Sequence, residues 1–191
     1  MTLRLALKAL ESTGYIVTTR GSHGGSRVSD APSLFRCWKQ WMLQHSDELA
    51  DIFEFRMTVE TRLAFLAAER RTEEDMRMME KAVASERPPK DWSSLFHADM
   101  DIHRAIARAA HSPRLERAMM AARGELFVPV NFARPDEKHP RVHETHRAIL
   151  EPIRARDAAR AADEMRRHID IVRELTDKAL EASGLLSTDG Q

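Results

Sequence analysis

The amino-acid sequence predicts a mostly α fold, in which a short helix-and-hairpin unit precedes a long run of helices. Three observations carry this reading. Only 7 glycines and 8 prolines occur in 191 residues, against abundant Ala, Leu, Met, Arg and Glu, which favour helix. β-branched and glycine-rich signals cluster in residues 15–29 alone. From residue 33 onward apolar residues recur at helical spacing. A chain of this length holds one ordinary domain plus a small appendage.

Residues 2–12, TLRLALKALES, put Leu3, Leu5, Ala6, Leu7 and Leu10 on a helical stripe with Arg4, Lys8 and Glu11 opposite. Gly14 ends that helix. YIVTTR (15–20) reads as a strand, GSHGG (21–25) as a turn, and SRVS (26–29) as a short returning strand. A unit of about thirty residues is too short to fold without further packing. DAPS (30–33) is a linker and helix start, with Pro32 near the first turn.

Helices are then expected over 33–45, 47–70, 72–86, 91–111, 112–127, 138–155 and 158–183. Their starts carry caps at Ser46, Thr72 (followed by Glu73 and Glu74), Ser112 (followed by Pro113) and Asp157. VPVNFARPDEKHP (128–140) is the one long loop. Pro152 is expected to kink its helix, and the tail to fray. No internal repeat or low-complexity tract is present.

Lys+Arg and Asp+Glu balance at 30 each, so total charge does not point to nucleic acid. Residues 1–30 are mildly basic, with Arg4, Lys8, Arg20 and Arg27 against Glu11 and Asp30. The single cysteine, Cys37, excludes an intrachain disulfide and fits a reducing cytosol; its apolar surroundings, LFRCWKQWM, suggest a buried structural thiol. No stretch approaches the length of a membrane span, and the N-terminus lacks a signal-peptide pattern, so a cytoplasmic location is expected.

The candidate chemistry lies late in the chain. Asp99 and His103 stand four apart in LFHADMDIHRAIARAA and project from one helix face. His146 and His168 lie on two further helices. One carboxylate and three imidazoles suit a divalent first-row metal, zinc first, with nickel and manganese as alternatives, and need not fill every coordination position. Taken singly, the histidines also read as surface or satisfied core residues, and the Asp99/His103 pair as a helix-stabilising contact. Ligation needs neutral imidazoles, so binding should weaken below about pH 6. His97, His111, His139 and His143 read as surface residues, His143 lying three before His146.

Arg56 and Glu60 in FEFRMTVE are also four apart. Taken by themselves they read as an ordinary surface ion pair, although the planar fork of an arginine also suits a carboxylate ligand. Trp38, Trp41, Phe53, Phe55, Leu63 and Phe65, with Met57 and the group at 76–79, make apolar stripes suited to core or dimer interface. A metal-dependent hydrolase would need a general base beside the metal. Asp101 and Glu144 are each two residues from a ligand candidate and turn away, and no HExxH motif is present. This counts against an enzyme, with a helical metal-dependent hydrolase kept as an alternative reading.

Taken together, these pieces resemble bacterial GntR-family transcription regulators of the FadR-like subfamily, which carry an FCD (FadR C-terminal) effector domain. TLRLALKALESTGYIVTTRGSHGGSRVSD is similar to the second half of a winged helix-turn-helix. DIFEFRMTVETRLAFLAAERRTEEDM, DMDIHRAIARAAHSPRL and HRAILEPIRARDAARAADEMRRHI are similar to the effector domain, an antiparallel helical bundle. The resemblance implies a partial DNA-binding domain at 1–30, a linker and connecting helix at 31–46, an effector, metal-binding and dimerisation domain at 47–183, and a tail at 184–191.

It also implies roles. Asp99, His103, His146 and His168 fall at the family's metal positions, and Arg56 at an arginine facing the effector cavity. Arg4 would contact base edges or phosphates, Thr2 the DNA backbone, and His23, Gly24 and Gly25 the minor groove. Metal plus arginine would favour a small organic acid, and the whole a homodimer on a palindromic operator. The family carries two further helices before the recognition helix, whereas this sequence begins in effect at that helix. The alternative reading is thus an effector domain that dimerises without binding DNA.

Overall fold

The computed structural model describes residues 2–21, 24–30, 32–34, 36–37, 40, 46–85, 92–125 and 140–182. Of the expected loop at 128–140, residues 128–139 lie outside the described residues, as do the tail, His23, Trp38, Trp41 and His139 and the side chains of His97 and His143, whereas Pro140 opens a helix. Of the helix expected at 33–45, the backbone is helical at 32–34, 36–37 and 40. The chain divides into two compact units, Met1–Ser46 and Asp47–Gln191.

In the first unit, Thr2 has extended backbone (φ −79°, ψ 153°) ahead of α1 (Leu3–Ser12), and its carbonyl accepts the first helical bonds from Leu5 and Ala6. None of the α1 residues is buried; Leu3 is 76 % exposed. The helix stops at Gly14, which adopts φ +84° while its own N–H bonds Glu11 O and that of Tyr15 bonds Leu10 O. This is the paired closure that favours glycine after a helix. The strands β1 (Ile16–Thr19) and β2 (Gly25–Val28) pair antiparallel, Ile16 opposite Val28 and Thr19 opposite Gly25.

Gly25, expected in the turn, therefore opens β2 instead. The turn closes at Gly24, where a Cβ would stand 2.2 Å from Thr19 O, an approach only glycine permits. Cys37 is half-buried rather than buried, and its Sγ donates to Thr13 O at 2.9 Å.

The second unit is built from α2 (Ser46–Arg70), α3 (Glu73–Ser85), α4 (Trp92–Ala109), α5 (Pro113–Glu125), α6 (Pro140–Ala155) and α7 (Ala158–Ala182). Thr72 and Asp75 form a reciprocal cap at the start of α3, Thr72 N–H donating to Asp75 Oδ2 and Asp75 N–H to Thr72 Oγ1. Asp157 caps α7 by accepting from Arg160 N–H. Helix α6 continues through buried Pro152 to Ala155.

α6 and α7 form a hairpin, α3 packs on α4 and α6, and α4 on α5. Val59, Leu63 and Leu66 of α2 join Ala107, Ala110 and Met119 in one cluster, where alanines let the helices approach closely. Phe53, Leu63, Met76 and Met79 enter the core as their stripes suggest, whereas Phe55 and Met78 are exposed. Arginines tie helix ends together: Arg71 donates to Arg154 O, Arg156 to Glu69 O and Arg71 O, and Arg70 to Ala110 O. These bonds satisfy carbonyls that a helix C-terminus leaves without partners and fix α2 against α4 and α6. No described helix is long and apolar enough to cross a membrane.

Candidate metal centre

The histidines are carried inward by apolar stripes. His103 stands between Ile102 and Ile106, His146 three residues before Ile149, and His168 between Met165 and Ile169. All five of these apolar neighbours are fully buried. The three imidazoles are buried with them, and Asp99, one turn before His103, remains 28 % exposed. One ligand-type atom from each of Asp99, His103, His146 and His168 lies within 4.8 Å of the others. His103 Nε2 is 3.1 Å from His168 Nε2, and Asp99 Oδ1 is 3.4 Å from His146 Nε2 and 3.8 Å from His103 Nε2.

Donors about 2.0–2.2 Å from a common cation stand roughly 3–4 Å apart, so the donor set fits a divalent metal in chemistry and spacing. His103, His146 and His168 would supply nitrogens, and Asp99 an oxygen at the exposed side. A bound divalent metal would act as a Lewis acid there, polarising a ligand oxygen.

Around these four lies a shell of charged side chains. Glu60, on α2, is the hub. It accepts from Arg56 Nε at 2.6 Å and from Arg123 Nη1 at 3.1 and 3.3 Å, and its Oε2 lies 2.6 Å from His103 Nδ1. Arg123, in the last turn of α5, also donates from Nη2 to Asp99 Oδ2. Thr145 Oγ1 stands 2.9 Å from His168 Nδ1 and donates to Val142 O at 2.6 Å. Arg56 and Glu60 are 5 % and 1 % exposed, which corrects the surface-pair reading: α2 runs through the interior here, so the pair is a buried one.

Burial sets the protonation of the site. It pushes His103 down to about 4, the Arg123 charge adding to the effect, and holds His168 well below its ordinary value, with His146 and His103 contributing. For Asp99 and Glu60 burial works upward. It is outweighed by Arg123 and the facing imidazoles at Asp99, and by Arg56 and Arg123 at Glu60, so both carboxyls sit well below the usual range. Burial lowers Arg56, whereas Asp99 and Glu60 outweigh it and raise Arg123. The result is that His103 and His168 are neutral beside ionised carboxylates, the state that cation ligation requires.

Arg123 and Thr145 escape a reading of the sequence alone, as does the central place of Glu60. Arg123 left one trace: it continues the i, i+4 stripe of Leu115 and Met119, an unusual place for a charge. Among the other expected residues, Asp101 and Glu144 are exposed and His111 pairs on the surface with Asp75 at 2.9 Å. Thr2, Arg4, Gly24 and Gly25 are exposed on the first unit.

The FCD domain family matches residues 51–171, which include Arg56, Glu60, Arg123, Thr145 and the four clustered residues. The chain is a GntR-family transcription regulator with an FCD domain. It is 28 % identical to the uncharacterised HTH-type transcriptional regulator YcbG of Bacillus subtilis (strain 168), over 94 % of this chain and 75 % of that protein. It is 30 % identical to a putative L-lactate dehydrogenase operon regulatory protein of Escherichia coli (strain K12), over 89 % and 69 %.

Among solved structures, Streptococcus agalactiae GntR superposes with a TM-score of 0.58 at 22 % identity, over 90 % of this chain and 80 % of that one. E. coli McbR/YncC gives 0.60 at 15 %, over 90 % and 83 %. These likenesses place the mostly helical fold among GntR regulators. The relatives named here are regulators rather than enzymes.

Proposed function

We propose that this FCD-domain regulator is ligand-responsive: its helical unit holds a divalent metal through Asp99, His103, His146 and His168, and a small organic acid completes the site. The observation carrying this reading is the meeting of one carboxylate and three buried imidazoles from three helices, the donor atoms within 4.8 Å. Asp99 lies at the more exposed side, where an incoming ligand would arrive. Arg56, beside Glu60, offers a guanidinium whose planar fork suits a carboxylate. The E. coli relative's name, with its L-lactate dehydrogenase operon, supports a 2-hydroxy acid as the class to try first.

The DNA contacts would come from the first unit, with Thr2 and Arg4 at the start of α1 and His23, Gly24 and Gly25 around the hairpin. Two such units in a homodimer would read a palindrome, and the acid would shift their spacing by binding one arrangement better than the other. A mobility-shift titration with DNA upstream of the gene tests this. Binding should require Arg4 and change at least several-fold when Zn2+ and a hydroxy acid are added together. A shift unaffected by Zn2+, the acid and Arg4→Ala alike would overturn the reading.

A further inference from the structure

Thr145 has one hydroxyl proton, and it goes to Val142 O at 2.6 Å. Towards His168 Nδ1, 2.9 Å away, the hydroxyl oxygen can then only accept, so Nδ1 must carry the ring proton and Nε2 is left bare. The same logic applies to His103. Glu60, an ionised carboxylate between two arginines, only accepts; its Oε2 stands 2.6 Å from His103 Nδ1, off the hydrogen-bond axis but too close for two lone pairs to face each other, which puts the ring proton on Nδ1 and leaves Nε2 bare. The two bare nitrogens face each other at 3.1 Å, an arrangement that calls for a cation between them. At the carboxylate, Arg123 occupies Asp99 Oδ2 and leaves Oδ1 turned to His146 and His103.

We propose that Glu60, Thr145 and Arg123 are positioning residues that set His103, His168 and Asp99 in their cation-donating states before any metal arrives. This rests on the metal reading of the four-residue cluster and adds that the outer partners, from α2, α5 and α6, determine how tightly it binds. Outer partners that fix ligand tautomers are worth about 10–100-fold in metal affinity.

The test compares Zn2+ affinity, by chelator competition, in wild type, Thr145→Val, Thr145→Ser and Glu60→Gln, alongside 15N NMR of the histidine rings in metal-free wild type. Thr145→Val should bind about 10–100-fold more weakly, with the same helical circular dichroism, and Thr145→Ser should recover most of the loss. Glu60→Gln should weaken binding comparably, because its amide can present a donor to His103. The NMR spectrum should show His103 and His168 protonated at Nδ1.

Wild type that binds Zn2+ tightly, with Thr145→Val and Glu60→Gln binding equally well, overturns this inference and leaves the metal reading standing. Wild type that binds no Zn2+ overturns both. Should a variant fail to fold, the wild-type NMR decides: a proton on Nε2 of His168 contradicts the proposal.

Discussion

His103 Nε2 and His168 Nε2 face each other across 3.1 Å, although the two residues are 65 positions apart and belong to different helices. The far nitrogen of each ring lies against another side chain, Glu60 Oε2 at 2.6 Å for His103 and Thr145 Oγ1 at 2.9 Å for His168. Two buried imidazoles are thus turned toward one point, with Asp99 and His146 closing around it. This arrangement suits a neutral pH and becomes costly in acid.

Stability of the metal-free protein should fall as pH drops from about 6.5 to about 4. An unfolded histidine titrates near 6.5, whereas burial holds His103 at about 4. Between those values the unfolded chain binds a proton that the folded chain excludes, so the unfolding free energy rises with pH across the window. His168, lowered further, acts in the same direction. The lowered carboxyls of Glu60 and Asp99 continue the loss at still lower pH. Urea denaturation at pH 7.0, 5.5 and 4.5 checks this, and equal midpoints at all three would contradict it. The expected weakening of metal binding below about pH 6 moves lower for the same reason.

Replacing Glu60 separates a buried network from a surface ion pair by magnitude. An exposed i, i+4 pair is worth a few tenths of a kcal/mol. Removing the partner of a buried charge costs about 3–5 kcal/mol, and Glu60 faces both Arg56 and Arg123. Glu60→Leu should therefore lower the unfolding free energy by several kcal/mol. Pairing it with Arg56→Met should restore part of the loss. Urea titration of the two variants reads both effects.

Much of this architecture is legible in the sequence, for identifiable reasons. Capped starts at Thr72 and Asp157 and the i, i+4 pair Asp99/His103 are local signals, and the helices follow them. The hairpin shifts by one residue because Gly25, which reads as a turn residue, can also extend to pair with Thr19. The roles of Glu60, Arg123 and Thr145 depend on how α2, α5 and α6 come together, which no local pattern encodes. A charged residue on a helix reads as solvent-facing until its neighbours across the bundle are known. Phe55 shows the converse: its type suggests core, and its place on α2 leaves it exposed.

That contrast gives a pair of substitutions. Leu63 is 1 % exposed and packed among Val59, Leu66, Ala107 and Met119, so Leu63→Ala should cost about 2–5 kcal/mol. Phe55, 39 % exposed, should cost well under half as much on truncation. Comparable losses at the two positions by thermal or urea unfolding would show that Phe55 is covered, as at an interface between copies.

Gly14→Ala tests the closure of α1. The residue holds φ +84°, and a Cβ there would meet Cys37 Sγ at 2.9 Å. A left-handed conformation costs an L-residue about 1–2 kcal/mol before any clash. The variant should loosen the first unit, seen as faster hydrogen exchange at Tyr15 and Ser29, whose amides bond Leu10 O and Tyr15 O. Exchange in the second unit should not change.

The most direct test is the zinc stoichiometry of the full chain, measured by elemental analysis after loading and desalting, for wild type, His103→Ala and His168→Ala. The account predicts one ion per chain in wild type and a large loss in both variants. Zinc content that stays the same in all three proteins would contradict it.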